Sequence, residues 1–364
     1  MSSQNPNEKT PLRFIELFAG AGGFRLAFEG LKEVASKCVF SSEIDKKARE
    51  TYKLNFHEYP SGDITKIAAK DIPQFDFLTA GFPCQPFSYA GNLQGFADKT
   101  RGTLFFDILR ILKHHHPQMF LLENVKGLKS HNKGQTLDTV MKQLEHLGYT
   151  VYWKILDSLD FGLPQQRQRW YCVGFLKPIH FAFPLGHQNK TPLRSIINVE
   201  ENNEDLQLSA IEQRRIDFHF SKCPVDSEKQ IRVKHDNSKY ASHTKKGKYG
   251  IFSYLKPDKT LRFHVGDYAK TQIQELYYCT VDSYSPAIIK ARAPKLWDLK
   301  RHLSVLECQR LQGFPDNFKF ASGARGQLGN AVSVPVVQEI VKSMLHHEQL
   351  HKPVQMPVTQ VSLF

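Results

Sequence analysis

The stretch TAGFPCQPFSYAG places Cys84 directly after Pro83, at the end of the apolar run FDFLTAGF and before a series of loop formers. A buried, inert cysteine belongs inside such a run. One just past it, where a strand of an open parallel sheet gives way to a ligand crevice, is placed to act as a nucleophile. Further on, MFLLENV follows four apolar residues with Glu123 and Asn124, and an ionisable group there is costly to bury unless it is paired or employed. QQRQR supplies Arg167 and Arg169. In an extended segment these fall on one face and direct two guanidiniums at one anionic or carbonyl-bearing ligand. A thiol, a carboxyl group and paired arginines suit covalent activation of a heterocycle. The thiolate adds to an electron-poor ring carbon, the carboxyl group donates a proton or hydrogen bond to a ring nitrogen, and arginine holds the exocyclic oxygen. The ring becomes a carbon nucleophile.

FIELFAGAGGF reads as a strand, a glycine-rich turn and the start of a helix. Gly20, Gly22 and Gly23 let the backbone approach a ligand closely, and the helix start offers free N–H groups. Glu43 lies 20 residues beyond Gly23, at the end of the next expected strand, where a carboxylate can accept from ribose hydroxyls. Together they point to a nucleotide-type cofactor. The spacing is not GxGxxG and no basic residue is placed for a pyrophosphate, which favours a cofactor without phosphates. On these residues alone a nicotinamide enzyme and a methyltransferase both remain open. Asp63, in SGDIT, is within reach of an adenine amino group, although a lone aspartate of this kind is usually a turn residue.

The elements that must position these residues alternate along the chain. β-rich runs such as LRFIELF, CVFSSE, MFLLENV and TVYWKILD are separated by helical patterns, which implies βαβ units and a parallel sheet covered on both faces. In the helix expected near residues 137 to 147, Leu137, Val140, Met141, Leu144 and Leu147 form the i, i+3, i+4, i+7 stripe of a core-facing helix. The alternation fades after RWYCVGF, and a domain boundary is expected near residue 185. HLSVLECQRLQGFPDNF resumes a helical pattern, and GQLGNAVSVPVVQEIVKSML reads as a turn followed by a final helix.

The chain of 364 residues carries a formal charge of +13, which favours a polyanionic partner such as nucleic acid. Residues 230 to 300 hold 14 Lys/Arg against 6 Asp/Glu, interleaved with Tyr240, Tyr249, Phe252, Tyr254, Phe263 and Tyr268, the footprint of a phosphate-contacting surface. The six cysteines are scattered without a CxxC, which argues against a structural zinc site and a disulfide framework. No metal is expected. His114 to His116 stand at a helix end before Pro117, where histidine suits the dipole. Cys172 and Cys308 read as core, and Cys223 as an ordinary loop residue. No apolar run reaches the roughly 20 residues of a membrane span, and the N-terminal residues lack a secretory signal, so a reducing compartment is expected.

The motifs FxELFAGAGGF, GFPCQPFS, ENV, QxRxR, RxLSxxECxRLQGFPD and QLGNAV resemble, in order and spacing, those of the DNA (cytosine-5)-methyltransferases of prokaryotic modification type. The resemblance covers residues 12 to 185 and 301 to 345. It implies an α/β fold: a Rossmann-like S-adenosylmethionine-dependent methyltransferase domain with a mainly parallel sheet, plus a smaller irregular or β-rich target-recognition domain. The expected division is 1–185 for catalysis and cofactor, 186–300 for recognition, and 301–364 for a hinge and return to the catalytic domain. By the same resemblance Cys84 attacks C6 of cytosine with Pro83 fixing its approach, Glu123 engages N3 and the exocyclic amino group, and Arg169, with Arg167 nearby, holds O2. Phe18 stacks on adenine, Ala19 and the turn Gly20, Gly22, Gly23 pass along the methionine portion, Glu43 holds the ribose, and Asp63 the adenine amino group, with Ile64 beside it. Leu104, Asn330, Ala331 and Val332 close the pocket. Ile44 stands where the family often has an aromatic residue.

The implied reaction acts on a cytosine rotated out of double-stranded DNA, with the loop at residues 85 to 101 closing over it. In place of the family's usual Thr-aliphatic dipeptide the chain has SPAII, Ser285 to Ile289. A monomer on the nucleoid of a prokaryotic cytoplasm is expected, with a separately acting restriction endonuclease as a candidate partner. A transfer-RNA methyltransferase of the same architecture usually carries a CFT tripeptide, absent here. An inactive DNA-binding relative would be expected to lack Cys84 or Glu123.

Overall fold

Two sheets account for the change of pattern along the chain. The computed structural model describes residues 10–83, 104–187, 190–198, 204–226, 231–235, 249–267, 274–289 and 294–350. Cys84 and the loop at residues 85 to 101 lie outside the described residues. The first part runs β1 (Leu12–Leu17), α1 (Gly23–Glu29), β2 (Ser36–Ser42), α2 (Lys46–Phe56), β3 (Phe77–Gly81), α3 (Leu104–His115) and β4 (Met119–Val125). It continues through α4 (Gln135–His146), β5 (Thr150–Asp157), β6 (Gln165–Gln166) and β7 (Gln168–Phe175).

Six of these strands form one sheet in the order β2-β1-β3-β4-β7-β5. β2, β1, β3 and β4 pair in parallel, and β7 runs antiparallel to both β4 and β5. The sheet is mainly parallel, as expected; the reversed β7 was not foreseen. Side chains alternate between two cores with the period of a strand. Phe14, Phe77, Leu121, Tyr171 and Val173 enter the layer shared with α1. Ile15, Leu78, Phe120, Trp170 and Cys172 enter the layer formed by α3 and α4. α3 supplies Phe105, Ile108, Leu109, Ile111 and Leu112, and α4 supplies Leu137, Val140 and Leu144. At roughly 1.5–3 kcal/mol for each large apolar side chain buried, these layers can carry buried polar groups that position the site.

The second sheet follows α5 (Ala210–Lys222), whose start is capped by Ser209 and Glu212 in a reciprocal box. Its strands are β8 (Val233–His235), β9 (Tyr249–Leu255), β10 (Leu261–Asp267) and β11 (Gln274–Cys279). β12 (Ser285–Pro286) leaves this sheet to pair with β6, and β13 (Lys295–Leu296) and β14 (Arg301–His302) complete it in the order β14-β13-β11-β10-β9-β8. Leu208, Ile216, Ile251, Leu261, Phe263 and Tyr278 form its small core. The chain then returns through α6 (Val305–Gln312), α7 (Ala324–Asn330) and α8 (Val334–Leu350). GQLGNAV is therefore largely helical, begun by Gly323 in the left-handed region at φ +64°, where sequence had suggested only a turn. Val336, Val337, Ile340, Val341 and Met344 of α8 join the α1 side of the core.

Cys172 and Cys308 are core residues. Cys223 is also buried, at the C-terminal cap of α5, because the loop-like KCPVD follows directly on the helix. His115 turns Nε2 to the Ala69 carbonyl at 2.8 Å and its ring against Phe75. Among the described residues no helix is long and apolar enough to cross a membrane.

Glu16, next to last in β1, is fully buried. Its Oε1 accepts from the Phe24 N–H at 3.1 Å and its Oε2 from the Tyr52 hydroxyl at 3.2 Å, which ties the first turn of α1 and the body of α2 to β1. Burial pushes its carboxyl group up to about 8 from an ordinary 4.5. Between those values the folded chain keeps a proton that the unfolded chain releases, so this contribution to stability falls as pH rises through the window. Glu16→Gln removes the titration and keeps an amide able to accept from Phe24. Thermal melts from pH 5.5 to 8 should show the variant gaining on the parent as pH rises, by at most about 1.4 kcal/mol per pH unit; a constant difference would mean that Glu16 is ionised in the fold.

Candidate active site

The chain passes from β1 to β2 on one side and returns to β3 on the other side of β1. Ligands of open α/β sheets lie beyond the carboxyl ends of the strands at such a reversal. A cavity of about 1010 Å³ lies there, lined by Phe18 and Gly20 after β1, Glu43 and Ile44 after β2, and Gly81, Phe82 and Pro83 at the end of β3. Glu123, Asn124, Arg167 and Arg169 line it further along the sheet, and Leu104 and Asn330 complete the walls.

The glycine turn divides by role. Gly20 has φ +55°, and a Cβ built there would meet nothing within 4 Å, so the turn leaves room where a ligand would pass. Phe18 is also left-handed, at φ +56°, a conformation that costs a residue with Cβ about 1–2 kcal/mol and turns its ring-bearing position toward the cavity. Gly22 and Gly23 serve packing instead. A Cβ on Gly22 (φ +86°) would lie 2.3 Å from Phe56 Cε2, and one on Gly23 would lie 2.8 Å from Val332 Cγ2. Ala19 is buried behind the turn.

Glu43 Oε2 accepts from the Gly20 N–H at 2.8 Å, and Oε1 from the Asp45 N–H at 2.7 Å. Each oxygen keeps a lone pair for a ligand hydroxyl. Ile44 is 71% exposed on the cavity wall. Asp63 and Ile64 are not among the described residues that line it. Asp63 Oδ1 takes the Thr65 N–H at 3.1 Å and the Thr65 hydroxyl at 2.7 Å, bonds that hold its carboxyl group below the ordinary range; Ile64 is core. Ala331 and Val332 stand behind Asn330, with Val332 against Gly23.

Strand register assembles the polar end. Gly81 pairs with Glu123 between β3 and β4, and Glu123 pairs with Tyr171 of antiparallel β7, so Arg169 lies diagonally across from Glu123 on the same face. Arg169 Nε is 3.2 Å from Glu123 Oε1, and both side chains are largely buried. Burial nevertheless raises the Glu123 carboxyl above its usual range, with Arg169 and Arg167 opposing the shift. The group is suited to giving a proton or hydrogen bond to a ring nitrogen. Asn124 donates from Nδ2 to the Phe82 carbonyl at 2.9 Å, fixing the backbone that leads through Pro83 to Cys84.

Arg167 and Arg169 do not converge on one point. Residue 167 falls in the break between β6 and β7, so the alternation of an extended strand does not carry through it. Its Nη1 donates to the Ile288 carbonyl at 2.8 Å, and its Nη2 to the carbonyls of Gly329 at 3.1 Å and Ala331 at 2.7 Å. Burial and the neighbouring Arg169 lower its affinity for the proton, to about 9. Asp45, Lys46, Lys47 and Gln327 also line the cavity and were not read from sequence. Asp45 was accessible to it as a helix cap, since its side chain accepts from Lys47 and Ala48 N–H. Gln327 opens the QLGNAV motif and reaches the cavity through the return of the chain.

Residues 12–346 match the family model for C-5 cytosine-specific DNA methylases. The Type II methyltransferase M.DsaV of Dactylococcopsis salina is 40% identical over 94% of this chain and 88% of its own. The Type II methyltransferase M.HaeII of Haemophilus aegyptius is 41% identical over 91% of this chain and 92% of its own. Among solved structures, the S. pombe Dnmt2 methyltransferase aligns with a TM-score of 0.63 at 19% identity, covering 94% of this chain and 100% of that one. A putative DNA modification methyltransferase encoded within an E. coli prophage aligns at 0.61 and 19%, over 93% of this chain and 99% of its own.

The two kinds of glycine separate stability from ligand binding. Gly22→Ala combines overpacking with left-handed strain and is expected to cost about 2–4 kcal/mol in denaturant unfolding. Gly20→Ala carries only the strain, about 1–2 kcal/mol, but puts a methyl group into the cavity. It should weaken S-adenosylhomocysteine binding in a calorimetric titration by at least about tenfold; unchanged affinity would show that the ligand does not pass this turn.

Proposed function

This chain belongs to the C-5 cytosine-specific DNA methylase family, and on that premise we propose that it methylates C5 of one specific cytosine in double-stranded DNA through an extruded base and a covalent adduct with Cys84. The observation that carries the reading is the buried Glu123–Arg169 pair, set by strand register beside the end of β3, three residues before Cys84. The thiolate of Cys84 forms a bond to C6 while Glu123, whose hold on a proton is strengthened by burial, gives a proton to N3, and Arg169 holds the developing charge at O2. Electron density moves to C5. S-adenosylmethionine, when bound, supplies the methyl group that C5 accepts. Loss of the C5 proton to a base and departure of the thiolate from C6 restore the aromatic ring, and Glu123 recovers its proton from N3.

The cavity suits this cofactor. Gly20 leaves room for the methionine portion, Glu43 has lone pairs for ribose hydroxyls, and Phe18, Ile44 and Leu104 offer apolar contact to a base. The cytosine ring is reachable only outside the duplex, at a cost of a few kcal/mol, which contacts to Glu123 and Arg169 offset. Residues 186–300, with their basic and aromatic composition, are taken as the unit that reads the duplex, on a catalytic unit of 1–185 completed by 301–364. The relatives named as Type II methyltransferases support a modification enzyme; a single working chain and a separately acting restriction endonuclease belong to the same proposal.

Bisulfite sequencing of DNA from a host expressing the chain should reveal one methylated cytosine context. Cys84→Ser should abolish that signal, and Glu123→Gln should lower kcat by about 100-fold or more, while binding of a duplex carrying the context stays within about threefold. Substantial turnover by the Cys84→Ser protein would sink the covalent route.

A further inference from the structure

We propose that Arg167 is a positioning residue that couples the recognition unit to the cofactor wall and does not touch the reacting base. The proposal rests on the function given above. The acceptors of Arg167 come from two segments far apart in sequence, and each adjoins a wall of the cavity. The Ile288 carbonyl, at 2.8 Å, precedes Ile289, which lines the cavity and is 44% exposed. The carbonyls of Gly329 and Ala331, at 3.1 and 2.7 Å, flank Asn330, which also lines the cavity. One guanidinium therefore sets the position of both.

Its neighbours extend the brace. Gln165, fully buried, accepts from the Ile288 N–H at 2.8 Å through Oε1 and donates through Nε2 to the Leu311 carbonyl at 2.9 Å. Gln312, also fully buried, donates to the Leu328 carbonyl at 2.6 Å. Both the N–H and the carbonyl of Ile288 are thus held from the β6 segment, which β12 joins as a paired strand. A displacement of residues 285–289 on DNA binding cannot be absorbed locally, because the groups that hold Ile288 also hold residues 311 and 329–331. The planar fork of arginine can span two separate carbonyl groups, whereas the point charge of lysine serves one region at a time.

The test is the coupling between two ligands of the full-length chain. S-adenosylhomocysteine is titrated calorimetrically with and without a duplex carrying the cytosine context mapped by bisulfite sequencing. In the parent the duplex should tighten binding by about fivefold or more, the low end of ordinary coupling between sites. In Arg167→Lys this factor should fall to within about twofold of one. Arg169→Lys should lose turnover and keep the parent's factor. If Arg167→Lys does not fold, as judged by its melt, Gln165→Met, which releases the Ile288 N–H, should lose the factor instead. Coupling retained in the folded Arg167→Lys protein, or in Gln165→Met where that variant stands in for it, or absent from a parent that methylates DNA, overturns the proposal. A parent that neither methylates DNA nor binds S-adenosylhomocysteine counts against the function rather than against the brace.

Discussion

The burial of one carboxyl group, that of Glu123, sets conditions that the surrounding structure must meet. An ionised carboxylate taken out of water is strongly disfavoured unless it is paired, and this one sits at the carboxyl end of a central strand. Its partner comes from β7, a strand whose beginning lies beside that end. A parallel neighbour would bring its own carboxyl end there. The reversed β7 brings its first residues instead, so that Arg169, second in the strand, meets Glu123 across the diagonal. β7, antiparallel to both of its neighbours among the described strands, is thus what supplies a cation to the site. The pairing is partial: burial still outweighs Arg169, and the carboxyl group remains above its usual range. A fully compensated ion pair would be a poor proton donor to a ring, and an uncompensated carboxyl group would be a costly one to bury.

How much of this was legible in the sequence depended on whether the signal was local. Strands with period two and helices with the i, i+3, i+4 stripe were readable because each residue's neighbours in the chain decide its face. Glu123 was readable because four apolar residues precede it, and Gly20 because a strand entering a glycine turn has few other uses. Arg167 was misdirected for the same reason. Its spacing from Arg169 implies a common face only in an unbroken strand, and at the break between β6 and β7 its guanidinium turns to acceptors at residues 288, 329 and 331. Gly22 and Gly23 looked like ligand glycines, yet what excludes a side chain there is Phe56 and Val332. Asp63 was assigned to adenine through the resemblance; its Oδ1 accepts from its own Thr65, and it is not among the described residues that line the cavity.

The return of the chain after residue 301 explains why sequence reasoning reaches the catalytic unit only in part. α8 buries Val336, Val337, Ile340, Val341 and Met344 in the same core as α1 and β1, so the first strand and the last helix belong to one hydrophobic layer. The second sheet is therefore an insertion whose two ends open from a single folded body. An insertion in a surface loop is tolerated at small entropic cost, and nothing in that arrangement requires its ends to be rigidly held. Here both are. On the way in, Asn198 donates its N–H to Glu307 at 3.1 Å and accepts at its carbonyl from Arg301 at 3.0 Å; on the way out, β12 pairs with β6, and Arg301 and Glu307 form a buried ion pair. Each buried polar contact of this kind carries a desolvation cost that an apolar substitute would avoid. Their presence at the two junctions, together with the Gln165, Arg167 and Gln312 network, is what a rigid coupling of insertion to catalytic body requires and what a mere tether does not.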